Sequence, residues 1–326
     1  VTQCLLAQLN CHASYCMVFG RSASTVAGSD FTQIKRFCRN EIPPMNALLF
    51  IACVLIWGST WIALTFQVGH VEPVVAVAWR FSLAVVCLGL WILVTRRKFV
   101  IPAHVHSKAL LVGLFLYTLD YSFLYAAQQY MISALLAVLS SSVIYFTVLF
   151  RWLFLRKPIR LEVVIGATLG LIGLVFIFFP EFDKMTVQQG LALGLMFALV
   201  SFVCAAIGNI LSELILDEGT PVVQMNFYAM GYGLLFLYGF GWLSGASFSF
   251  PVERDFYLAL LYLALFGSVF AFGAYMKLLQ RIGSDKATYV VLVYPIVALG
   301  LSTLFEGYTW TVMAAAGILL VLLGNA

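Results

Sequence analysis

From about Asn46 to its end the chain is made of ten apolar segments, and the last five repeat the pattern of the first five. Charged residues collect in the gaps between runs such as LVGLFLYTL and LALGLMFALV. Of the 326 residues, 63% are hydrophobic and 10% charged, and the mean hydropathy is +1.01. A soluble domain carries roughly 25% charged side chains. This chain lacks them, so the medium around most of it must be lipid. A transmembrane helix takes about 20 apolar residues. The predicted spans lie near 46–67, 72–95, 109–128, 133–153, 161–179, 188–211, 221–243, 256–279, 286–305 and 308–325. The expected fold class is an all-α polytopic membrane protein, with ten transmembrane helices arranged as two inverted five-helix repeats.

A shift of 151 residues lays Gln129 on Gln280, Ser133 on Ser284 and Phe154 on Phe305. The same shift lays Gly166 on Gly317 and Gly173 on Gly324, so a pair of glycines seven residues apart recurs in the last span of each half. The first and sixth spans match at a shift of 144, because the loops differ in length. Five spans is an odd number, so the second half must enter the membrane upside down. Inverted repeats are a recurrent build of secondary transporters, with substrate held near the midplane between the halves. The alternative is plain duplication of a membrane scaffold. The expected domains are 46–179 and 188–326, preceded by a disordered leader or mis-assigned extension at 1–44.

Basic residues fall on alternate loops. Arg96, Arg97, Lys98 and Lys108 lie between spans two and three, and Arg156, Lys157 and Arg160 between four and five. Arg281 and Lys286 lie between eight and nine, while Lys35, Arg36 and Arg39 precede the first span. The opposite loops hold only Lys184 and Arg254. Cytoplasmic loops carry the Lys/Arg excess, so both termini are expected inside an inner (plasma) membrane. The net charge of +4 reflects these loops and does not signal nucleic-acid binding.

Residues 1–44 are polar and Ser-rich, with Cys4, Cys11, Cys16 and Cys38 at spacings that match no zinc pattern. Met45 then opens MNALLFIACVLIWGSTW, a natural start for a first span. At the other end the chain stops at Gly324-Asn325-Ala326, which is short and unanchored and suggests truncation. Cys53, Cys87 and Cys204 within spans read as small packing residues.

Charge within a span is costly and usually faces the bundle interior or a water-filled cavity. Arg80 lies eight residues beyond Glu72, and Asp120 eight before Gln128. At 1.5 Å per residue both sit about 12 Å below the outer surface. Spans two and three are consecutive and antiparallel, so an Arg80–Asp120 contact is expected, serving either to lock two helices or to bind substrate. An adjacent guanidinium would favour the charged carboxyl and make Asp120 a poor proton carrier. Such a pair would favour exchange or facilitated diffusion over proton coupling.

Tyr117, Asp120, Tyr121, Leu124 and Gln128 recur at helical spacing on one face of span three. Ser141, Ser142 and Tyr145 stripe span four, and Trp57, Thr60 and Trp61 stripe span one. Aromatic walls with a few hydroxyls suit an amphipathic organic solute, although aromatics are also ordinary packing residues. Pro295 after Tyr294 removes a backbone donor in span nine. The carbonyl it frees faces substrate or is satisfied by Ser or Thr neighbours. The candidate substrate-binding residues are therefore Trp57, Arg80, Asp120, Tyr121, Ser142, Tyr145, Tyr294 and Pro295. Gly166, Gly170 and Gly173, and Ser201, Cys204, Ala205 and Gly208, read as close helix contacts. Asn209 and Glu213 are weaker candidates for a cytoplasmic vestibule.

LIWGSTWIAL at 55–64 and Arg80 within AVAWRFSLAVV resemble the EamA-type branch of the drug/metabolite transporter superfamily. VLFRWLFLRKPIR at 148–160 and YPIVALGLSTLFEGYTW at 294–310 carry the same resemblance into the fourth and ninth spans. Two departures stand out. Ile144 occupies a position where the first repeat often has proline, which Pro295 keeps in the second, and Arg156-Lys157 replaces a Gly-Glu turn. The resemblance covers about 46–326 and implies ten spans, an inverted pair of domains, and movement of small metabolites.

No Walker loop, GxGxxG after a strand, or HExxH is present. His104-x-His106 sits in a cationic loop and reads as solvated rather than as a metal site. No catalytic residue, cofactor or metal is expected, and without a nucleotide-binding domain this chain alone is no ATP-driven pump. The expected partners are a small-molecule substrate and the bilayer, with homodimerisation allowed. The leading expectation is a secondary transporter of a small organic metabolite or drug-like solute, working by alternating access. The alternatives are a nucleotide-sugar or sugar-phosphate exchanger, which would want several buried cations, and a membrane-embedded enzyme or scaffold.

Overall fold

The computed structural model describes residues 44–67, 69–130, 133–184, 190–305 and 311–324, so the expected leader lies outside the described residues apart from Pro44. Within them the regular structure is helical, with no strand. Helix α1 is Pro44–Thr65, α2 Pro73–Val94 and α3 Ala103–Gln128. Then come α4 Ser133–Ser140, α5 Val143–Leu155 and α6 Leu161–Lys184. The second part contains α7 Leu191–Asp217, α8 Val222–Leu243, α9 Arg254–Ile282, α10 Ser284–Ala287, α11 Val290–Phe305 and α12 Val312–Gly324.

Six of the described segments are long and apolar enough to cross a bilayer: α1, α2, α3, α7, α9 and the run Ser284–Leu301. Helices α5 and α12 and the Leu161–Ile177 part of α6 are apolar but shorter. Helix α8 has the length, but Gln224, Asn226 and its tyrosines dilute its apolar character. The surface accords with a lipid solvent. Leu48, Ile51 and Leu55 of α1 and Val86, Leu90 and Leu93 of α2 point outward, while Phe81, Tyr117 and Met230 are fully buried.

The predicted span 133–153 is not continuous. It breaks at Ser141-Ser142 into α4 and α5. Ser140 Oγ donates to its own helix at Ala137 O, 2.7 Å, and Ser141 Oγ to Val291 O on α11, 3.2 Å. Hydroxyls that bond backbone carbonyls in this way offer the chain an alternative to the helical ladder. Val291 O is also the acceptor that the Pro295 ring leaves without a donor. Here a serine satisfies the freed carbonyl.

Two long helices carry π-helical stretches, Gly113–Asp120 in α3 and Leu263–Phe270 in α9. Each wraps a hydroxyl onto the carbonyl five residues earlier: Thr118 Oγ1 donates to Gly113 O at 2.9 Å, and Ser268 Oγ to Leu263 O at 3.1 Å. Wider turns of this kind shift the side-chain register relative to a straight α-helix, and they gather at functional sites.

Helices α6 and α12 cross through glycines. A Cβ on Gly166 would collide with Gly324 O and one on Gly173 with Gly317 O, and the converse holds for Gly324 and Gly317. Only a bare α-carbon allows backbones so near, the usual basis of helix association in lipid.

Candidate functional site

Helices α1, α2, α3, α4, α5, α7, α9 and α11 converge on a cavity that encloses about 130 Å³. Its wall is largely aromatic: Trp57, Trp61, Tyr121, Phe272, Tyr275 and Tyr294. Trp57 stands edge-on to Phe272 with centroids 5.3 Å apart and lies 5.0 Å from Tyr275. Its indole N–H donates to Gly267 O, 3.1 Å, within the π-helical part of α9. Trp61 faces Tyr294 at 6.0 Å, and the Tyr294 hydroxyl shares a 2.5 Å hydrogen bond with Ser140. These bonds turn aromatic faces, rather than their polar tips, toward the space.

Two charged side chains, Arg80 and Asp120, also reach this wall. Arg80 Nε donates to Ser268 Oγ at 2.9 Å and Nη1 to the Tyr125 oxygen at 3.3 Å, and the Tyr125 hydroxyl then donates to Gln67 Oε1. The guanidinium carbon sits 4.8 Å from the Tyr121 ring centre, within cation–π range. Nη2 lies beside Gly267, where a Cβ would stand only 3.0 Å away. Asp120 Oδ1 accepts from Ser201 Oγ, 2.6 Å, on α7. Its other oxygen takes no hydrogen bond from another described residue.

The expected Arg80–Asp120 pair is therefore not made: no carboxylate among the described residues lies within 4 Å of Arg80. The reason is local. Arg80 is drawn to α9 and to the tyrosines, and the π-helical turn that ends at Asp120 directs the carboxyl to α7.

Of the eight sequence-derived candidates, Trp57, Arg80, Asp120, Tyr121 and Tyr294 share the cavity. Ser142 precedes α5 at its N-terminus, without a side-chain capping bond, and does not line it. Tyr145 turns away and donates to Thr168 Oγ1 of α6, 3.1 Å. Pro295 is buried in α11 and does not line it, and its missing N–H leaves Val291 O to accept from Ser141. Ser140 and Val143, three positions apart on either side of the Ser141-Ser142 break, take the wall positions expected of Ser142 and Tyr145. Tyr117 donates to Asn226 instead of facing the space. Phe272 and Tyr275 were not legible as wall residues, because nothing in a run of apolar residues says which aromatic faces inward.

A second polar cluster lies away from the cavity. Arg151 grips Glu213 through Nε (3.2 Å to both oxygens) and Nη2 (3.1 Å), and its Nη1 reaches Asp285 at 2.8 Å. Lys157 Nζ meets Glu213 at 2.6 Å and Asp217 at 3.3 Å, and Arg160 meets Asp285 at 3.6 Å. Ser284 donates its backbone N–H, 3.1 Å, and its hydroxyl to the same Glu213 carboxylate. Burial alone would lower the Lys157 ammonium, but its hydrogen bonds to Glu213 and Asp217 outweigh that and hold it above its ordinary value. Gly283, at φ +87°, leaves room for this cluster, because a Cβ there would press on Arg151 Nη2. Nearby, Lys108 and His104 both meet Glu218. The Lys108 hydrogen bond holds the Glu218 carboxyl below the usual range.

Comparison with known proteins gives one consistent picture. The model of the EamA-like transporter family matches residues 22–179 and 192–326. The uncharacterized inner membrane transporter YedA of Escherichia coli (strain K12) is 29% identical over 82% of this chain and 85% of its own length. Protein PagO of Salmonella typhimurium is 26% identical over 80% of this chain and 85% of its own. The uncharacterized transporter YoaV of Bacillus subtilis is 26% identical over 84% and 93%. A crystal structure that carries no functional description superposes with a TM-score of 0.69 at 17% identity, covering 86% of this chain and 94% of that one, a likeness of fold alone.

Proposed function

The chain belongs to the EamA-like transporter family, and we propose that it moves a small organic metabolite across the cytoplasmic membrane by alternating access between two inverted five-helix halves, 46–179 and 188–326. Several observations support the halves. The π-helical stretches begin 150 residues apart and each makes the same hydroxyl-to-carbonyl bond. Gly166 meets the partner of Gly173, and Gly173 the partner of Gly166. A twofold axis between repeats produces that reciprocity, since each contact is made twice with the roles exchanged. The charged cluster joins the ends of helices whose loops carry the Lys/Arg excess, so this end is read as cytoplasmic, with both termini on that side.

One observation carries the substrate reading. Arg80 and Asp120 face a single aromatic cavity without forming an ion pair with each other. Unpaired charge at this depth is tolerated where a ligand or water completes it. A zwitterion with an apolar or aromatic body fits: its carboxylate at the Arg80 guanidinium, its ammonium at Asp120, its body against Trp57, Trp61 and Tyr294. A nucleotide-sugar or sugar-phosphate ligand fits poorly. Such anions call for several cations, and among the described wall residues only Arg80 is one. Held by Ser201 and not by a guanidinium, Asp120 is a candidate proton carrier.

Counterflow in proteoliposomes with amino acids, purine metabolites and cationic drugs tests this reading. Exchange is expected for solutes carrying both an ammonium and a carboxylate, and to weaken when either group is removed. Asp120→Asn is expected to lower affinity by about 10- to 100-fold, the worth of one hydrogen bond to a charged group. Equal exchange of purines or simple cations would overturn the zwitterion assignment, while no exchange of any solute would count against transport itself.

A further inference from the structure

The charges around Glu213 divide by origin. Arg151, Lys157 and Arg160 come from residues 46–179, while Glu213, Asp217, Asp285 and the Ser284 donors come from 188–326. The smaller cluster follows the same rule, with His104 and Lys108 on Glu218. Every ion pair among the described residues thus runs from a cation of the first half to a carboxylate of the second. Segments within one rigid half would have no reason to sort their charges so completely.

The two ends of the bundle are held very differently. At this end Arg151 and Glu213 are buried and bonded from several sides, and Gln280 Nε2 adds a bond to Leu216 O. At the opposite end the polar ties between α2, α8 and α9 are slight: Ser247 N–H donates to Glu72, and exposed His70 lies 3.7 Å from Glu253. The cavity lies on the weakly held side of the cluster. Its wall uses α1 from Trp57 to Leu64 and α3 from Leu116 to Tyr125, both nearer the ends remote from the cluster. On α7 the wall stops at Asn209, one helical turn before Glu213.

We infer that the Arg151–Glu213–Asp285 cluster is an electrostatic latch between the two halves, closing the path from the cavity to that face of the membrane and releasing when the halves rock apart. The latch rests on the transporter reading for its motion, but its test needs no substrate. Its chemistry suits a switch. Separated, Glu213 and Arg151 would each regain water at the opened face, so the desolvation that opposes a buried pair is recovered as the contacts are lost. Such compensation lets two states lie close in free energy, as alternating access requires. Gly283 is part of the device, because any side chain at its positive φ would both strain the turn and displace Arg151.

The test is side-specific labelling of a cysteine placed at Asn209 on the cavity wall. The full chain is reconstituted in proteoliposomes, a membrane-impermeant maleimide is applied from one face at a time, and the parent chain serves as control for native cysteines. The latch is disarmed by Arg151→Gln with Glu213→Gln, which removes both charges together and leaves Lys157 with Asp217 and Arg160 with Asp285. Labelling from the latch face is expected to rise about tenfold or more, and labelling from the other face to fall, as a closed-state population is drawn down. Should the double variant fail to fold, Lys157→Gln removes a single partner at the half-exposed rim, and a smaller change of the same sign is expected. Folded variants whose labelling matches the parent chain from both faces would overturn the latch and leave the cluster a static fastening. Because no solute enters the assay, that result would not touch the transport reading.

Discussion

Arg80 and Asp120 in the cavity, and Arg151 and Glu213 in the cluster, are the same two chemical groups put to opposite uses. In the cluster, guanidinium and carboxylate meet through several hydrogen bonds, and a lysine and a serine complete the carboxylate. In the cavity each group is held by neutral partners instead: Arg80 by Ser268, Tyr125 and the Tyr121 face, and Asp120 by Ser201. Neutral partners fix a charged side chain without cancelling its field. What the contrast teaches is that burial of a charge says little about its role, whereas the nature of its partners says much.

The largest expected effect breaks the cluster from one side. Glu213→Gln removes the anion that Arg151 and Lys157 share, leaving them Asp285 and Asp217, and should cost up to ~3–5 kcal/mol, read as a large fall in melting temperature of the detergent-solubilised protein. Adding Arg151→Gln should return much of that loss. A double variant as unstable as the single one would show that the two groups do not act as a pair. Next comes the α6–α12 crossing, where Gly173→Ala forces a Cβ into Gly317 O and should cost ~1–3 kcal/mol by overpacking.

The cavity should answer in the reverse sense to the cluster. Asp120→Asn leaves no cation stranded within bonding distance and keeps an acceptor for Ser201, so its stability cost should stay near ~1 kcal/mol while solute affinity falls about 10- to 100-fold. A melting loss as large as that of Glu213→Gln would erase the distinction drawn between the two sites.

The smallest effect belongs to Glu218, whose carboxyl is held below its ordinary value by Lys108. A depressed carboxyl adds stability above its unfolded value, and that stability is lost as pH falls through the folded one. The pair is substantially solvated, so Glu218→Gln should change stability by less than ~1 kcal/mol at neutral pH, and the difference should vanish in acid and shrink in high salt.

Much of the architecture could be read from residue order. Apolar runs of bilayer length require helices, because lipid supplies no hydrogen-bond partners to an open backbone. Arg80 and Asp120 stood out because charge is rare at such depth, and the glycine pairs Gly166/Gly173 and Gly317/Gly324 because a seven-residue spacing keeps both on one helix face. The stripe from Tyr117 to Gln128 was less reliable, since a period of 3.6 assumes a regular α-helix and the π-helical stretch at Gly113–Asp120 is not one.

Residue order by itself determined which segments are helical, which of them carry charge and where backbones can approach closely, since these depend on local composition and spacing. Tertiary structure alone decided the partners. Arg80 turns to Ser268, 188 positions away, instead of to Asp120 on the neighbouring helix. Arg151 finds Glu213, 62 positions on, and Asp285 farther still. Ser140, bonded to Tyr294 154 positions away, lines the wall and Ser142 does not. The physical reason is the same in each case: a charge or hydroxyl in a low-dielectric interior bonds to whatever partner packing brings within about 3 Å, and chain separation has no bearing on that distance.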